Sequence, residues 1–317
     1  MSVQGIDPVD IVVDAAVETV EATGSPAEAH STVVDGVDVL GAISPSRAGD
    51  FMNCPLRYRF RTIDKLPEPF SLDAMRGTVV HKVLEDLFDL PAEERTPERA
   101  RELIVPAWEG LLEAEPELAE MFEAEGVPPV GDWLTSCRVA VDRYFTVEDP
   151  RRLEPAEREL YVETLLESKL LLRGFVDRVD IAPDGAIRVV DYKSGRSPGV
   201  GFEGKALFQL KFYALAIWRT RGVVPKMLQL IYLGDGEVIR YEPDEHDLLA
   251  TERKVDAIWR AITTAQESGD WRASPSRLCS WCAHQTICPA YGGTPPPLPA
   301  PTAEDQPSVE AAPDSSG

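Results

Sequence analysis

The segment Asp191-Tyr192-Lys193 carries the side chains of this chain that are best suited to catalysis. It ends an apolar run, Ile187–Val190, of the kind that forms a buried β-strand. Side chains two residues apart on a strand point to the same face, so we expect Asp191 and Lys193 to lie side by side. Asp177 lies in an earlier strand-like run, and the turn signal Pro183-Asp184-Gly185 joins the two runs as a hairpin. Folding that hairpin would bring Asp177 towards Asp191 at one end of a sheet.

Two carboxylates and a lysine in this arrangement suit the hydrolysis of a phosphodiester with a divalent metal ion. Asp177 and Asp191 would supply the oxygen ligands that Mg²⁺ and Mn²⁺ prefer. Such an ion polarises a phosphoryl oxygen and lowers the pKa of an attacking water, while Lys193 could orient that water or offset charge in the transition state. A solvated surface strand is the competing interpretation, and for an isolated Asp-Tyr-Lys it is the better one. The partner Asp177 at hairpin distance favours the metal site.

Two predicted helices carry further candidates. His81 lies near the start of the helix predicted at Gly77–Leu90, where its imidazole could complete the metal shell or simply pack. Glu85 is one turn further on and could reach a metal or remain a surface carboxylate. Gln209 and Tyr213 are four residues apart on a later helix and share a face. That pair could bind a phosphate or a base edge, order the lysine, or mark the boundary between core and solvent.

Four of the five cysteines form a second signal. Cys279, Cys282 and Cys288 lie within ten residues, and Cys54 is the expected fourth thiol, while Cys137 has the position of a small buried residue on an amphipathic helix. In a cytosolic protein such cysteines indicate a metal or iron–sulfur centre rather than disulfides. Four thiolates suit zinc or a [4Fe–4S] cluster, and the spacing does not discriminate between them. Joining Cys54 to Cys279 would tie together the two ends of the ordered chain.

Arg57 belongs to a basic and aromatic segment, residues 57–61, that follows Cys54. Arginines there could contact DNA phosphates while the aromatic rings stack on unpaired bases. The segment could equally be a pair of buried aromatic residues flanked by arginines.

The elements that must position these residues alternate between helix and strand. Helix is predicted at residues 44–60, 77–90, 98–145 (with interruptions near 126–131), 206–221 and 245–268, and strand at 157–166, 169–181, 186–193 and 227–233. This order predicts an α/β core in which helices flank a small mixed sheet.

Composition restricts the class of protein. The chain has 317 residues and a net charge of −22, which is concentrated in residues 1–40, 85–130 and 292–317. The remainder is close to neutral, so the charge argues neither for nor against a DNA partner. We predict that residues 1–40 and 292–317 are disordered tails. No apolar run approaches ~18 residues and no basic residue precedes Arg47, so we expect a soluble cytoplasmic protein without membrane contact.

The motifs together resemble the RecB-type branch of the PD-(D/E)XK nuclease superfamily, in the subgroup with a four-cysteine iron–sulfur cluster. The resemblance runs from about Ile43 to Tyr291, most of the ordered chain. The matching motifs, in order, are Ser44-Pro45-Ser46 through Cys54-Pro55-Leu56-Arg57-Tyr58, Gly77–His81, Gly174–Asp177, Asp191–Lys193, Gln209 with Tyr213, and Cys279, Cys282 and Cys288.

The resemblance implies a restriction-endonuclease-like nuclease domain at residues 43–291, with a helical insertion at 98–145 and a cysteine segment at 277–291 that clamps the terminus. It implies that His81, Asp177 and Asp191 ligate Mg²⁺ or Mn²⁺ together with the backbone carbonyl of Tyr192, and that Lys193 is the catalytic lysine. It also implies a [4Fe–4S] cluster rather than zinc. No Gly-x-x-x-x-Gly-Lys-Ser/Thr phosphate loop is present, so any helicase would be a separate partner.

We therefore predict a stand-alone, metal-dependent DNA exonuclease that acts on single strands or DNA ends in repair or recombination. One rival hypothesis is a catalytically silent nucleic-acid-binding or assembly module; the complete set of His, Asp, Asp and Lys argues against it. Another is a zinc-stapled structural protein whose acidic surface binds a protein partner.

Overall fold

A mixed sheet with helices on both faces forms the centre of the computed structural model, which describes residues 33–34, 37–199 and 203–299. The strands are β1 (Val33–Val34), β2 (Val37–Asp38), β3 (Gly41–Ile43), β4 (Glu157–Leu165), β5 (Leu170–Ile181), β6 (Ile187–Lys193), β7 (Met227–Tyr232) and β8 (Val238–Tyr241). The α-helices are α1 (Pro45–Asn53), α2 (Pro55–Tyr58), α3 (Leu72–Leu87), α4 (Pro97–Glu102), α5 (Ile104–Ala114), α6 (Val130–Val147), α7 (Glu203–Arg221) and α8 (Glu245–Ser268).

The long strand β5 organises the sheet. It pairs with β4 in antiparallel fashion along most of its length. It also pairs in parallel with β3 at Leu170–Leu172 and in antiparallel fashion with β6 at Arg178–Ile181. Strand β4 occupies one edge of β5. Strands β3 and β6 therefore both lie along the other edge, β3 beside the start of β5 and β6 beside its end. Strand β7 is parallel to β6, the connection being α7, and β8 is antiparallel to β7.

Each face of the sheet packs against its own group of helices. Ile187 and Val189 of β6 belong to one apolar core, together with side chains of α7 and α8. The intervening Val190 and Tyr192 belong to a second core, formed with α3, α5 and α6. This alternation is the period of two that a strand buried on both faces requires. The predicted α/β fold, a small mixed sheet flanked by helices, is confirmed.

Several boundaries differ from the predictions. The helix expected through residues 44–60 is interrupted at Cys54, which is extended (φ −162°, ψ 108°) because the residue before a proline avoids the helical region. Helix α3 begins before Gly77, since the Ser71 hydroxyl caps it by accepting a hydrogen bond from Ala74 N. The short strand β8 was not predicted; none of its residues is buried, so its apolar pattern is weak.

The predicted tails lie largely outside the described residues. Within the first, Val33–Val34 and Val37–Asp38 pair as two antiparallel strands, which differs from the predicted disorder. Their valines favour strands, and Asp35-Gly36 is a sequence typical of two-residue hairpin loops. Within the second, the carbonyl of Pro296 accepts a hydrogen bond from Arg59. No helix in the described part of the chain is long and apolar enough to cross a membrane.

The predicted helical insertion is built from α4, α5, a 3-10 segment at Pro116–Glu123 and α6. Trp108, Phe122 and Trp133 contact one another edge to face inside it, with ring centroids 5.0 to 5.7 Å apart. Buried side chains of α5 and α6 join those of α3 in the second core. The insertion therefore holds α3, the helix that carries His81, against the sheet.

Candidate active site

Asp177 and Asp191 lie where β5 and β6 separate. The ladder between the strands ends at Arg178 and Val190, one residue before the position at which the two aspartates would face each other. Val176 and Val179 pack in the same core although they are three residues apart, so the alternation of β5 shifts by one residue at Asp177. This distortion turns the Asp177 carboxylate towards β6, where its Oδ2 accepts a hydrogen bond from Tyr192 N at 2.7 Å.

The Asp191 carboxylate is buried and incompletely satisfied. The residue is 1 % exposed, and neither carboxylate oxygen accepts a hydrogen bond. Lys193 Nζ lies 2.6 Å from Asp191 Oδ2 and forms an ion pair, but the angles do not suit a hydrogen bond. Burying carboxylate oxygens without partners is costly. A hard divalent cation would satisfy them, so this residue fits the role of a metal ligand.

His81 and Glu159 converge on Asp177 from two other elements. His81, on α3, places Nδ1 3.6 Å from Asp177 Oδ2 and Nε2 3.0 Å from the carbonyl oxygen of Tyr192. Glu159, on β4, lies across from Asp177 in a break of the β4–β5 ladder and has a positive φ of 45°. One ligand atom from each of His81, Glu159 and Asp177 lies within 4.8 Å of the others, an arrangement found for no other group of His, Cys, Asp or Glu among the described residues.

Glu159 was missed at the sequence level. The strand at residues 157–166 was predicted, but no motif distinguishes Glu159 from the other acidic residues in it. Glu159 and Asp177 come together only because β4 pairs with β5. The residues on either side of them are paired in register. Because Leu160 pairs with Val176 and Arg158 pairs with Arg178, Glu159 must lie opposite Asp177.

The pKa values of the two carboxyl groups reflect burial and crowded negative charge. Burial, followed by the negative charge of Asp191, raises the pKa of Asp177 to about 8. Burial, followed by the charge of Asp177, also raises the pKa of Glu159. Burial lowers the pKa of His81 despite the nearby carboxylates, which keeps the imidazole neutral and able to ligate. The carboxylates repel one another, and a divalent cation would relieve that repulsion.

Helix α7 orders the side chain of Lys193. Lys193 Nζ donates a hydrogen bond to Gln209 Oε1 at 2.7 Å, and Gln209 Nε2 donates to the Tyr213 hydroxyl at 3.0 Å. The Tyr213 ring lies so close to β5 that a Cβ at Gly174 would be 2.8 Å from its Cε1 atom, which explains a glycine there. Of the roles left open for Gln209 and Tyr213, these contacts favour ordering the lysine. Substrate binding by the pair stays a prediction.

A buried arginine supports the same strand from the other face. Arg178 is 1 % exposed and donates to the Tyr192 hydroxyl at 2.5 Å and to Glu148 at 2.9 Å, with Asp180 in contact with its Nε. The phenol of Tyr192 is therefore held while its backbone N–H and C=O face Asp177 and His81. No local sequence motif distinguishes Arg178 from the other arginines of the chain.

Two other candidates lie apart from this group. Glu85 forms an ion pair with Lys82 at 3.0 Å and does not join the potential metal ligands. Arg57 contacts Asp50, with Nε 3.8 Å from its Oδ1, and lines the pocket of the cysteines. Arg57 therefore lies beside the four clustered cysteines. Contact between Arg57 and DNA stays a prediction.

Cys54, Cys279, Cys282 and Cys288 line one pocket, although 225 residues separate the first two. All five cysteines of the described chain are free thiols. The Sγ of Cys54 accepts a hydrogen bond from Ser274 N at 3.4 Å, and that of Cys279 from Ser276 N at 3.3 Å. The latter bond, with the Tyr291 hydroxyl, lowers the pKa of the Cys279 thiol. Thiols with these donors and a shared pocket fit thiolate ligation of a metal centre.

The spacing of the sulfurs bears on the choice of metal. A tetrahedral zinc ion bound at ~2.3 Å holds its sulfurs roughly 3.8 Å apart. Among the described residues, no three cysteine sulfurs lie within 4.8 Å of one another. The sulfur positions therefore leave both zinc and a [4Fe–4S] cluster open as occupants of the pocket.

His284 lies beside the cysteine pocket, whereas Cys137 lies apart from it in the second core. His284, not predicted, is buried in the cysteine segment, 3.0 Å from Glu68 Oε1 and edge-on to Phe60, and attaches that segment to the domain. Cys137 is fully buried in α6, as predicted, and burial raises the pKa of its thiol to about 11.

Known proteins share this chain's sequence pattern and fold. A sequence profile of the PD-(D/E)XK nuclease superfamily matches residues 42–289. The Gene 69 protein of Mycobacterium phage D29 is 28 % identical over 271 residues, with 78 % of this chain and 96 % of the phage protein covered. The Gene 69 protein of Mycobacterium phage L5 is 23 % identical over 297 residues, with 82 % and 100 % covered.

A solved structure is also similar. The crystal structure of a candidate exonuclease from Eubacterium rectale matches with a TM-score of 0.50 at 12 % identity. The match covers 77 % of this chain and 87 % of that protein. At this level of identity it shows a common fold.

Proposed function

Because the chain belongs to the PD-(D/E)XK nuclease superfamily, we propose that it is a metal-dependent DNA exonuclease of the RecB type. Its substrate is single-stranded DNA or DNA ends, and its role is in repair or recombination. The observation that carries the proposal is the buried carboxylate of Asp191, which forms an ion pair with Lys193 but accepts no hydrogen bond, beside Asp177 and His81, whose ligand atoms lie 3.6 Å apart. The structurally similar Eubacterium rectale protein is named as an exonuclease, which agrees with this proposal.

Asp177, Asp191, His81 and the carbonyl of Tyr192 would hold Mg²⁺ or Mn²⁺. The group of converging ligand atoms among the described residues consists of His81, Asp177 and Glu159 and does not include Asp191, so Glu159 is a further candidate ligand. When bound, the ion supplies Lewis-acid activation of the phosphoryl group and of a water molecule. The neutral imidazole of His81 offers a lone pair, and the carboxylates offer oxygen ligands.

Lys193 acts on the substrate from a fixed position. The ammonium donates one proton to the amide oxygen of Gln209 and contacts Asp191, and it has a further proton to donate to a nonbridging phosphate oxygen or to the attacking water. A charge-assisted hydrogen bond of this kind is stronger when negative charge develops in the transition state. Gln209 and Tyr213 serve as positioning residues.

At the second site, Cys54, Cys279, Cys282 and Cys288 would hold a [4Fe–4S] cluster. Because it would connect segments far apart in the sequence, its contribution is to stabilise the fold. Anaerobically purified protein should be brown, with a broad absorbance band near ~400 nm. Colourless protein with stoichiometric zinc would refute the cluster. Residues 1–317 contain no phosphate loop, and a separate helicase is a further proposed partner.

End-labelled linear and circular single strands test the proposal directly. Purified protein should degrade the linear strand with Mg²⁺ or Mn²⁺ and leave it intact with EDTA, while the circular strand should resist an exonuclease. Asp191→Ala and Lys193→Ala should abolish cleavage without unfolding the protein. Full activity in either variant would show that the chemistry occurs elsewhere.

A further inference from the structure

Tyr161 and Phe175 form an exposed aromatic pair on the sheet. They face each other across the antiparallel strands β4 and β5, with ring centroids 5.2 Å apart. Tyr161 is 47 % exposed and Phe175 is 57 % exposed, whereas their neighbours Val162 and Val176 are buried in the core. A cross-strand aromatic pair adds about 1 kcal/mol or less to the sheet, and the Tyr161 hydroxyl also donates to Glu163, yet about half of each ring's surface stays open to a partner.

The pair lies next to the candidate metal site. Tyr161 comes two residues after Glu159, and Phe175 comes two residues before Asp177. Neighbouring residues of a strand point to opposite faces, so the rings lie on the side of β4 and β5 that is opposite the core containing Val162 and Val176. They are roughly 6.8 Å from the two acidic residues along the strands.

We propose that Tyr161 and Phe175 are a stacking platform for unpaired bases of the DNA strand whose phosphate is at the metal site. The proposal rests on the proposed function and assigns its substrate as single-stranded DNA. Aromatic side chains stack on any base, since every base has a π-face, and this gives affinity without sequence preference. In a duplex the faces of the bases are covered by their neighbours, so this platform can contact only an unpaired or frayed strand.

Binding of a short labelled oligonucleotide, measured by fluorescence anisotropy with Mg²⁺ in a Lys193→Ala background, tests the platform without cleavage. Adding Tyr161→Ala and Phe175→Ala together should weaken binding of the single strand about tenfold or more. The ring-preserving pair Tyr161→Phe and Phe175→Tyr should keep the affinity. Ile181→Ala is a matched control, because Ile181 is also exposed on β5 but lies on the other side of Asp177.

A single-stranded oligonucleotide with abasic sites distinguishes base stacking from other contacts with the DNA. The background protein should bind the abasic strand more weakly than the intact one, and the double alanine variant should bind both alike, because ring and base act as a unit. Unchanged affinity of the double variant for the intact strand, or an equal loss on both strands, would overturn the platform. Failure of the proposed function is seen separately, as wild-type protein that does not cleave the strand with Mg²⁺ or Mn²⁺.

Discussion

Replacing Gln209 by alanine should slow the chemical step and leave DNA binding intact. The amide of Gln209 makes the only ordered contact between Lys193 and α7 among the described hydrogen bonds, at 2.7 Å. A hydrogen bond to a charged group contributes about 1.5–3 kcal/mol. The lower value applies here because the Lys193 side chain is 32 % exposed and water can take the place of the amide. That corresponds to a fall of about tenfold in rate.

Tyr213→Phe should have a smaller effect in the same direction. The hydroxyl accepts from Gln209 Nε2 at 3.0 Å and reaches Lys193 only through that amide. Loss of a neutral hydrogen bond of ~1 kcal/mol predicts a decrease of about fivefold. The double variant should be no slower than Gln209→Ala, because Tyr213 acts through Gln209.

Single-turnover cleavage of a labelled single strand at saturating Mg²⁺ measures the rate, and anisotropy measures the affinity. Thr220→Ala is the control on the same helix, since its hydroxyl bonds only to carbonyls of α7. The reasoning fails if Gln209→Ala loses affinity for DNA while its single-turnover rate is retained. In that case Gln209 binds substrate instead of positioning the lysine.

Three further outcomes follow from the packing. Gly174→Ala should lower the free energy of unfolding by about 1–3 kcal/mol in urea titrations, because the added Cβ would overlap the ring of Tyr213. The control is Gly110→Ala on α5, where the added Cβ meets open space and should not destabilise the protein. A similar loss of stability in the control would contradict the argument. Arg178→Met should lower the temperature of unfolding, since Glu148 and Asp180 would lose their buried cation, and calorimetry showing no decrease would contradict this. The Cys137 thiol, buried and with a raised pKa, should resist alkylation by N-ethylmaleimide until the protein unfolds, which mass spectrometry of the native protein checks.

Several candidate site residues could be proposed from sequence because they lie in local patterns. Asp191 and Lys193 end a buried apolar strand, and Asp177 lies on the strand joined to it by a short turn, so the hairpin alone brings them together. His81 stands out as a rare residue type on an amphipathic helix. Periodicity and turn chemistry are local properties, and the fold class follows from their order along the chain.

The tertiary structure alone decided which other side chains join them. Glu159 meets Asp177 only through the register of β4 on β5, and Gln209 meets Lys193 only through the packing of α7 on the sheet. Arg57 lies beside the cysteines because Cys54 and Pro55 break the helix that precedes it. Such contacts depend on strand pairing and helix packing between distant segments. A local pattern carries no information about them, because their free energy is gained only when those segments meet.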